Sequence, residues 1–96
     1  MPDVTVTLRN KKISVDQQKV QASVGAAHKV RWTSTDGPSR ISFKRGSEAD
    51  NPPAATERGG VWSTECGPFK KDGVTLSYAV SADGYETLDP DIEVIP

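Results

Sequence analysis

The sequence predicts an all-β fold: a two-sheet antiparallel sandwich of seven or eight short strands with Greek-key connections. Three observations lead there. Apolar residues alternate with polar ones in short runs, turn signals recur every 8–12 residues or so, and no helix-period segment exceeds about one turn. The chain has 96 residues, enough for one domain over residues 1–96 and too few for two. Hydrophobic residues make up 34% of it and charged residues 26%, a polar but foldable composition.

The elements follow in order. Val4, Val6 and Leu8 alternate with Thr5, Thr7 and Arg9, the period-2 mark of a strand with one buried face over residues 4–9. Asn10-Lys11-Lys12 is a polar turn, and Ile13-Ser14-Val15 resumes the pattern until Asp16-Gln17-Gln18 breaks it. Val20, Ala22 and Val24 share a parity and end at Gly25. The stretch His28–Phe43 is expected to be the central hairpin, two alternating runs around an Asp36-Gly37-Pro38 corner. Val30, Trp32, Ile41 and Phe43 face inward there, with Trp32 as the anchor because an indole covers the most apolar area.

Gly46 to Gly60 has no apolar period and contains Pro52-Pro53 and Gly59-Gly60, so it reads as a long mobile loop with at most a turn of helix around Pro53–Glu57. Val61–Glu65 is a short strand, followed by a Cys66-Gly67-Pro68 corner. Val74–Ser81 is the strongest strand, with Val74, Leu76, Tyr78 and Val80 on one side. Asp83-Gly84 signals a tight turn, Leu88-Asp89-Pro90 a last corner, and Ile92 and Val94 a final strand.

One cysteine allows no intrachain disulfide, which fits a reducing compartment. Met1-Pro2-Asp3 leads directly into a strand pattern, without a basic and apolar leader, and no run reaches membrane-spanning length. A cytoplasmic location is the expectation. The net charge is −1, yet residues 1–45 hold nine Lys/Arg against three Asp, net +6, and residues 46–96 hold three against ten Asp/Glu, net −7. Such halves either neutralise each other across strands or subunits, or they mark a basic partner-binding face.

The succession V-R-W-T-S-T-D-G-P-S-R-I-S-F, a variable loop, G-V-T-L-S-Y-A-V, then G-Y and a last I-E-V strand resembles the cupredoxins over residues 13–95. Two departures bear on function. The resemblance places a copper-binding histidine four residues before Phe43, where this chain has Ser39. It places a Cys-x-x-His loop after Tyr85, where the chain reads Glu86-Thr87-Leu88-Asp89-Pro90-Asp91. A blue-copper centre needs two imidazoles and a thiolate on one ion, and the chain has one His and one Cys. The resemblance therefore implies a copper-less cupredoxin-like sandwich. Trp32 and Tyr78-Ala79-Val80 are also similar to fibronectin type III and immunoglobulin-like domains, most of which are adhesive or spacer modules.

His28 is where any acid–base proposal would start, but no nucleophile elbow or oxyanion motif accompanies it. Cys66 lies beside Glu65, which opposes thiolate formation, with Lys70 and Lys71 nearby to favour it. Asp83, Glu86, Asp89 and Asp91 could gather around calcium, although Asp before Gly or Pro is ordinary turn chemistry. If the His28–Phe43 strands pair, Lys29, Arg31, Arg40 and Lys44 share one outer face, able to meet an acidic partner. No exposed aromatic is interleaved for base stacking, so nucleic acid is not the expected partner. The expectation is a non-enzymatic interaction or structural module without cofactor. It would bind a protein partner through the basic quartet and the 46–60 loop, and its open sheet edges and opposite-charged halves are compatible with a homodimer. A calcium- or polyanion-binding module, or a small enzyme using His28 or Cys66, are the alternatives.

Overall fold

The computed structural model describes residues 2–43 and 52–96. The expected all-β sandwich is observed. The described residues form nine strands: β1 (Asp3–Arg9), β2 (Lys12–Val15), β3 (Lys19–Ser23), β4 (Val30–Ser34), β5 (Arg40–Phe43), β6 (Thr56–Arg58), β7 (Val61–Cys66), β8 (Val74–Ser81) and β9 (Asp91–Ile95). They make a five-stranded sheet in the order β2-β1-β4-β7-β6 and a four-stranded sheet in the order β3-β9-β8-β5. Among the described residues no helix is long and apolar enough to cross a membrane.

The inward residues of both sheets form one core. Val4, Val6, Val30 and Trp32 come from the larger sheet and Leu76, Tyr78, Val80, Ile92 and Val94 from the smaller, all of them buried. β-branched residues predominate because they pack well on a pleated, half-buried surface. The two sheets are joined at the centre by aromatic contact. Trp32 Nε1 donates to the Tyr78 hydroxyl at 3.1 Å, and the rings meet edge to face with centroids 5.3 Å apart. Each polar tip thus finds its partner without water, as burial requires.

Three expectations are corrected. First, the sheets are mixed: β1 runs parallel to β4, and β3 parallel to β9. Period-2 alternation reports which side chains face inward and is the same for both strand directions, so it could not show this. Second, His28–Phe43 is not a hairpin. β4 lies between β1 and β7, while β5 is the edge strand beside β8 in the other sheet. The Asp36-Gly37-Pro38 corner carries the chain from one sheet to the other. It is tied to β1, because the Asp36 carboxylate accepts the Leu8 N–H at 3.0 Å.

Third, the 46–60 loop gives way to strand at its end. β6 pairs antiparallel with β7, with neither regular structure over 52–55 nor helix at 53–57. Gly59 and Gly60 have φ of 60° and 84°, which suits a tight hairpin turn, and Glu57 Oε1 accepts the Gly60 N–H at 2.9 Å. All three β6 residues are exposed, so no alternation marked them as a strand. Residues 46–51 of that expected loop lie outside the described residues.

Burial holds the Tyr78 phenol above its ordinary value near 10, outweighing the hydrogen bond from Trp32, which lowers it. The folded state therefore keeps this proton longer than the unfolded chain does. The resulting stability is complete below the unfolded value near 10 and is lost as pH rises through the higher folded value. Tyr78→Phe should remove that alkaline loss while costing about 1–3 kcal/mol near neutrality, because the Trp32 N–H is left buried without an acceptor. Urea unfolding across alkaline pH measures both; a variant as pH-sensitive as the parent would refute the assignment.

Candidate functional site

The expected basic quartet does not come together. Arg31 belongs to the outer face of the larger sheet and Lys29 immediately precedes its strand β4, Arg40 belongs to an edge strand of the smaller sheet, and Lys44 lies outside the described residues. Each placed member also has an acidic neighbour. Arg31 Nε meets Asp3 at 3.1 Å, Lys29 meets Glu65 at 3.7 Å, and Arg40 meets Asp83 at 2.7 Å. Lys19 meets Glu93 at 3.5 Å. The Lys19, Lys29 and Arg40 pairs each join a base from residues 1–45 to an acid from residues 46–96, so part of the charge opposition between the halves is taken up within the fold. These pairs are exposed, and each contributes only about 0–1 kcal/mol.

The other singled-out groups hold structure. His28 is half-buried, and its ring Nδ1 accepts the Ser23 N–H at 3.1 Å while its backbone N–H donates to the Ser23 carbonyl at 3.0 Å. Cys66 is a half-buried thiol at the end of β7, packed against the core. Asp91 Oδ1 accepts the Ser77 hydroxyl at 2.9 Å. Among the described residues no group of three or more His, Cys, Asp or Glu is arranged to hold a metal ion.

What the fold does bring together is a set of loops at one pole of the sandwich. A cavity of about 270 Å³ opens there, walled by Leu8, the 36–40 corner, and Ala82, Asp83 and Tyr85. Ser39, which stands where the family resemblance puts a histidine, is buried in its wall. Tyr85 also lines a neighbouring groove of about 370 Å³ with Asn10, Lys11, Lys12, Gly84 and Glu86. The loops that form the pole are bonded to one another. Glu86 N donates to the Lys11 carbonyl at 3.3 Å, while within the β8–β9 connection Tyr85 N donates to the Ala82 carbonyl at 3.0 Å and Val80 and Leu88 exchange two backbone bonds. With the Asp36–Leu8 bond and the Arg40–Asp83 pair, this makes one platform of the β1–β2 turn, the β4–β5 corner and the β8–β9 loop.

The β1–β2 turn is unusual. Asn10 and Lys11 have φ of 54° and 60°, and Arg9 pairs with Lys12 across them. This is a two-residue turn of the type that favours Asn followed by Gly. Asparagine suits the first position, but lysine in the left-handed region costs about 1–2 kcal/mol. Arg9 and Lys12 are like charges directly opposite each other on adjacent strands, a second unfavourable feature. No acidic side chain among the described residues is within ion-pair distance of Arg9, Lys11 or Lys12. Sequence reasoning passed over this tip because Asn-Lys-Lys reads as a plain polar turn. The signal was available in the flanking alternation, which sets Arg9 opposite Lys12.

These features define a class: a mixed-sheet β-sandwich whose one pole is a bonded loop platform with a cationic tip. A scan against protein-family models finds no match, and a search of curated proteins finds none either.

Proposed function

We propose that the protein is a non-enzymatic interaction module, a copper-less cupredoxin-like sandwich that binds a protein partner through its loop pole. The observation that carries this reading is the bonding of three loops into one platform around the Ser39–Tyr85 cavity. A rigid scaffold that presents loops at one end is the common way for a small β domain to bind. The two parallel strand pairs favour the cupredoxin-like over the immunoglobulin-like reading, because immunoglobulin sandwiches are built from antiparallel sheets. The engagement of His28 in holding the Ser23 backbone supports the non-enzymatic part.

The test is site-directed photocrosslinking in native cells, followed by reconstitution with the purified adduct protein. A photoreactive residue at Tyr85 should trap one protein that binds the purified module in a defined ratio. The same residue at Gln21, exposed on β3, should not. Equal adducts from both positions, or an adduct protein that fails to bind when purified, would refute the reading.

A further inference from the structure

From the β1–β2 tip we infer that the partner presents an acidic, extended segment, rich in Asp and Glu, to Arg9, Lys11 and Lys12 in the groove beside Tyr85. This inference rests on the interaction reading above and names the partner's chemistry. Three exposed cations sit on four consecutive residues, against one facing carboxylate, that of Glu86. The bases placed in the expected quartet are matched by internal acids, so their fields are spent within the fold. Among the described residues, the tip gathers three bases without an ion pair on four consecutive residues. It also keeps two features that oppose folding, a left-handed lysine and an opposed Arg9–Lys12 pair, each removable by a single substitution. Strain held at a surface turn points to a use for the side chain there.

The chemistry selects among polyanions. Nucleic acid calls for exposed aromatic platforms, and the aromatic here, Tyr85, is half-buried against the core. An anionic membrane surface calls for clusters of about 4–8 basic residues, more than the tip supplies. A chain of net charge −1 also lacks the general field that draws proteins to long polyanions. A short acidic peptide needs only local complementarity, with the Tyr85 groove receiving its backbone.

The test is an NMR titration of the full chain with blocked hexaglutamate, beside a thymidine oligonucleotide of equal charge. Peptide-induced shifts should centre on residues 9–12 and 84–86, with the oligonucleotide binding more weakly. Lys11→Gly should melt at the same or a higher temperature yet bind the peptide more weakly, and Arg9→Gln with Lys12→Gln should weaken it about tenfold or more. Shifts centred elsewhere, no shifts, equal or tighter oligonucleotide binding, or full affinity in Lys11→Gly would each overturn the inference. If the peptide leaves the tip unshifted while Tyr85 still crosslinks one reconstitutable partner, the acidic-segment inference falls and the interaction reading stands.

Discussion

Trp32→Ala is expected to cost about 3–5 kcal/mol of folding free energy, the range for emptying a large aromatic from a packed core. Trp32 is 2% exposed and sits at the meeting of the two sheets. Three losses coincide there: the apolar area of the indole, its edge-to-face contact with Tyr78, and the hydrogen bond that satisfies the Tyr78 hydroxyl. A domain of this size has a total stability on the order of 5–15 kcal/mol, so the variant should be partly unfolded under mild denaturation. Trp62 provides the internal control. It is half-buried near the larger sheet's β6 edge, so Trp62→Ala should cost clearly less. Denaturant unfolding of both variants decides the matter, and equal losses would show that Trp32 is not the anchor of the core.

Gly67→Ala is expected to be the most damaging exposed substitution, at roughly 3 kcal/mol, near the upper end for a strained backbone position. Gly67 has φ of 123°, where L side chains are rarely found. A Cβ built there would lie 3.0 Å from the His28 carbonyl oxygen and 3.0 Å from Lys29 Cα. Both are backbone atoms, so relief requires moving the start of β4 against the end of β7 rather than turning a side chain. Gly73 provides the comparison for left-handed backbone alone, with φ of 72°, a region L residues enter at about 1–2 kcal/mol, and nothing within 4 Å of its Cβ position. Gly73→Ala should therefore carry the conformational cost alone. If thermal unfolding shows the two variants equally affected, close backbone approach at Gly67 is not the cause.

Most of the fold was legible because burial of alternate residues leaves a direct imprint on sequence. Val4, Val6, Leu8, Trp32, Leu76, Tyr78 and Val80 were assigned inward by parity, and all are buried. Strand partners leave no such imprint. Val30 and Ile41 look like facing members of one hairpin whether the intervening corner turns within a sheet or crosses between sheets. What separates the cases is the capture of the Leu8 N–H by Asp36, a contact 28 residues apart in the chain. The same ambiguity undid the basic quartet, which depended on β4 and β5 being neighbours. Each of its placed bases then found an acid that register set beside it or that the loop pole supplied, as with Asp3 and Glu65 flanking Arg31 across β1 and β7. β6 was hidden because a strand exposed on every residue has no apolar period.

The parallel pairing of β3 with β9 also bears on how the molecule is made. Lys19 pairs with Asp91 and Ser23 with Ile95, so β9 is inserted between β3 and β8 in the middle of its sheet. During synthesis, β3 leaves the ribosome long before the strand that covers its inner edge. Until then its apolar residues Val20 and Ala22 have no sheet to join. Closure of the smaller sheet consequently waits for the distant β9, and such long-range pairing places folding on the order of milliseconds to seconds. The lysine at the start of β3 and the polar Gln21 on its outward face are suited to that interval, because charged and polar side chains keep an unpaired edge from recruiting another chain.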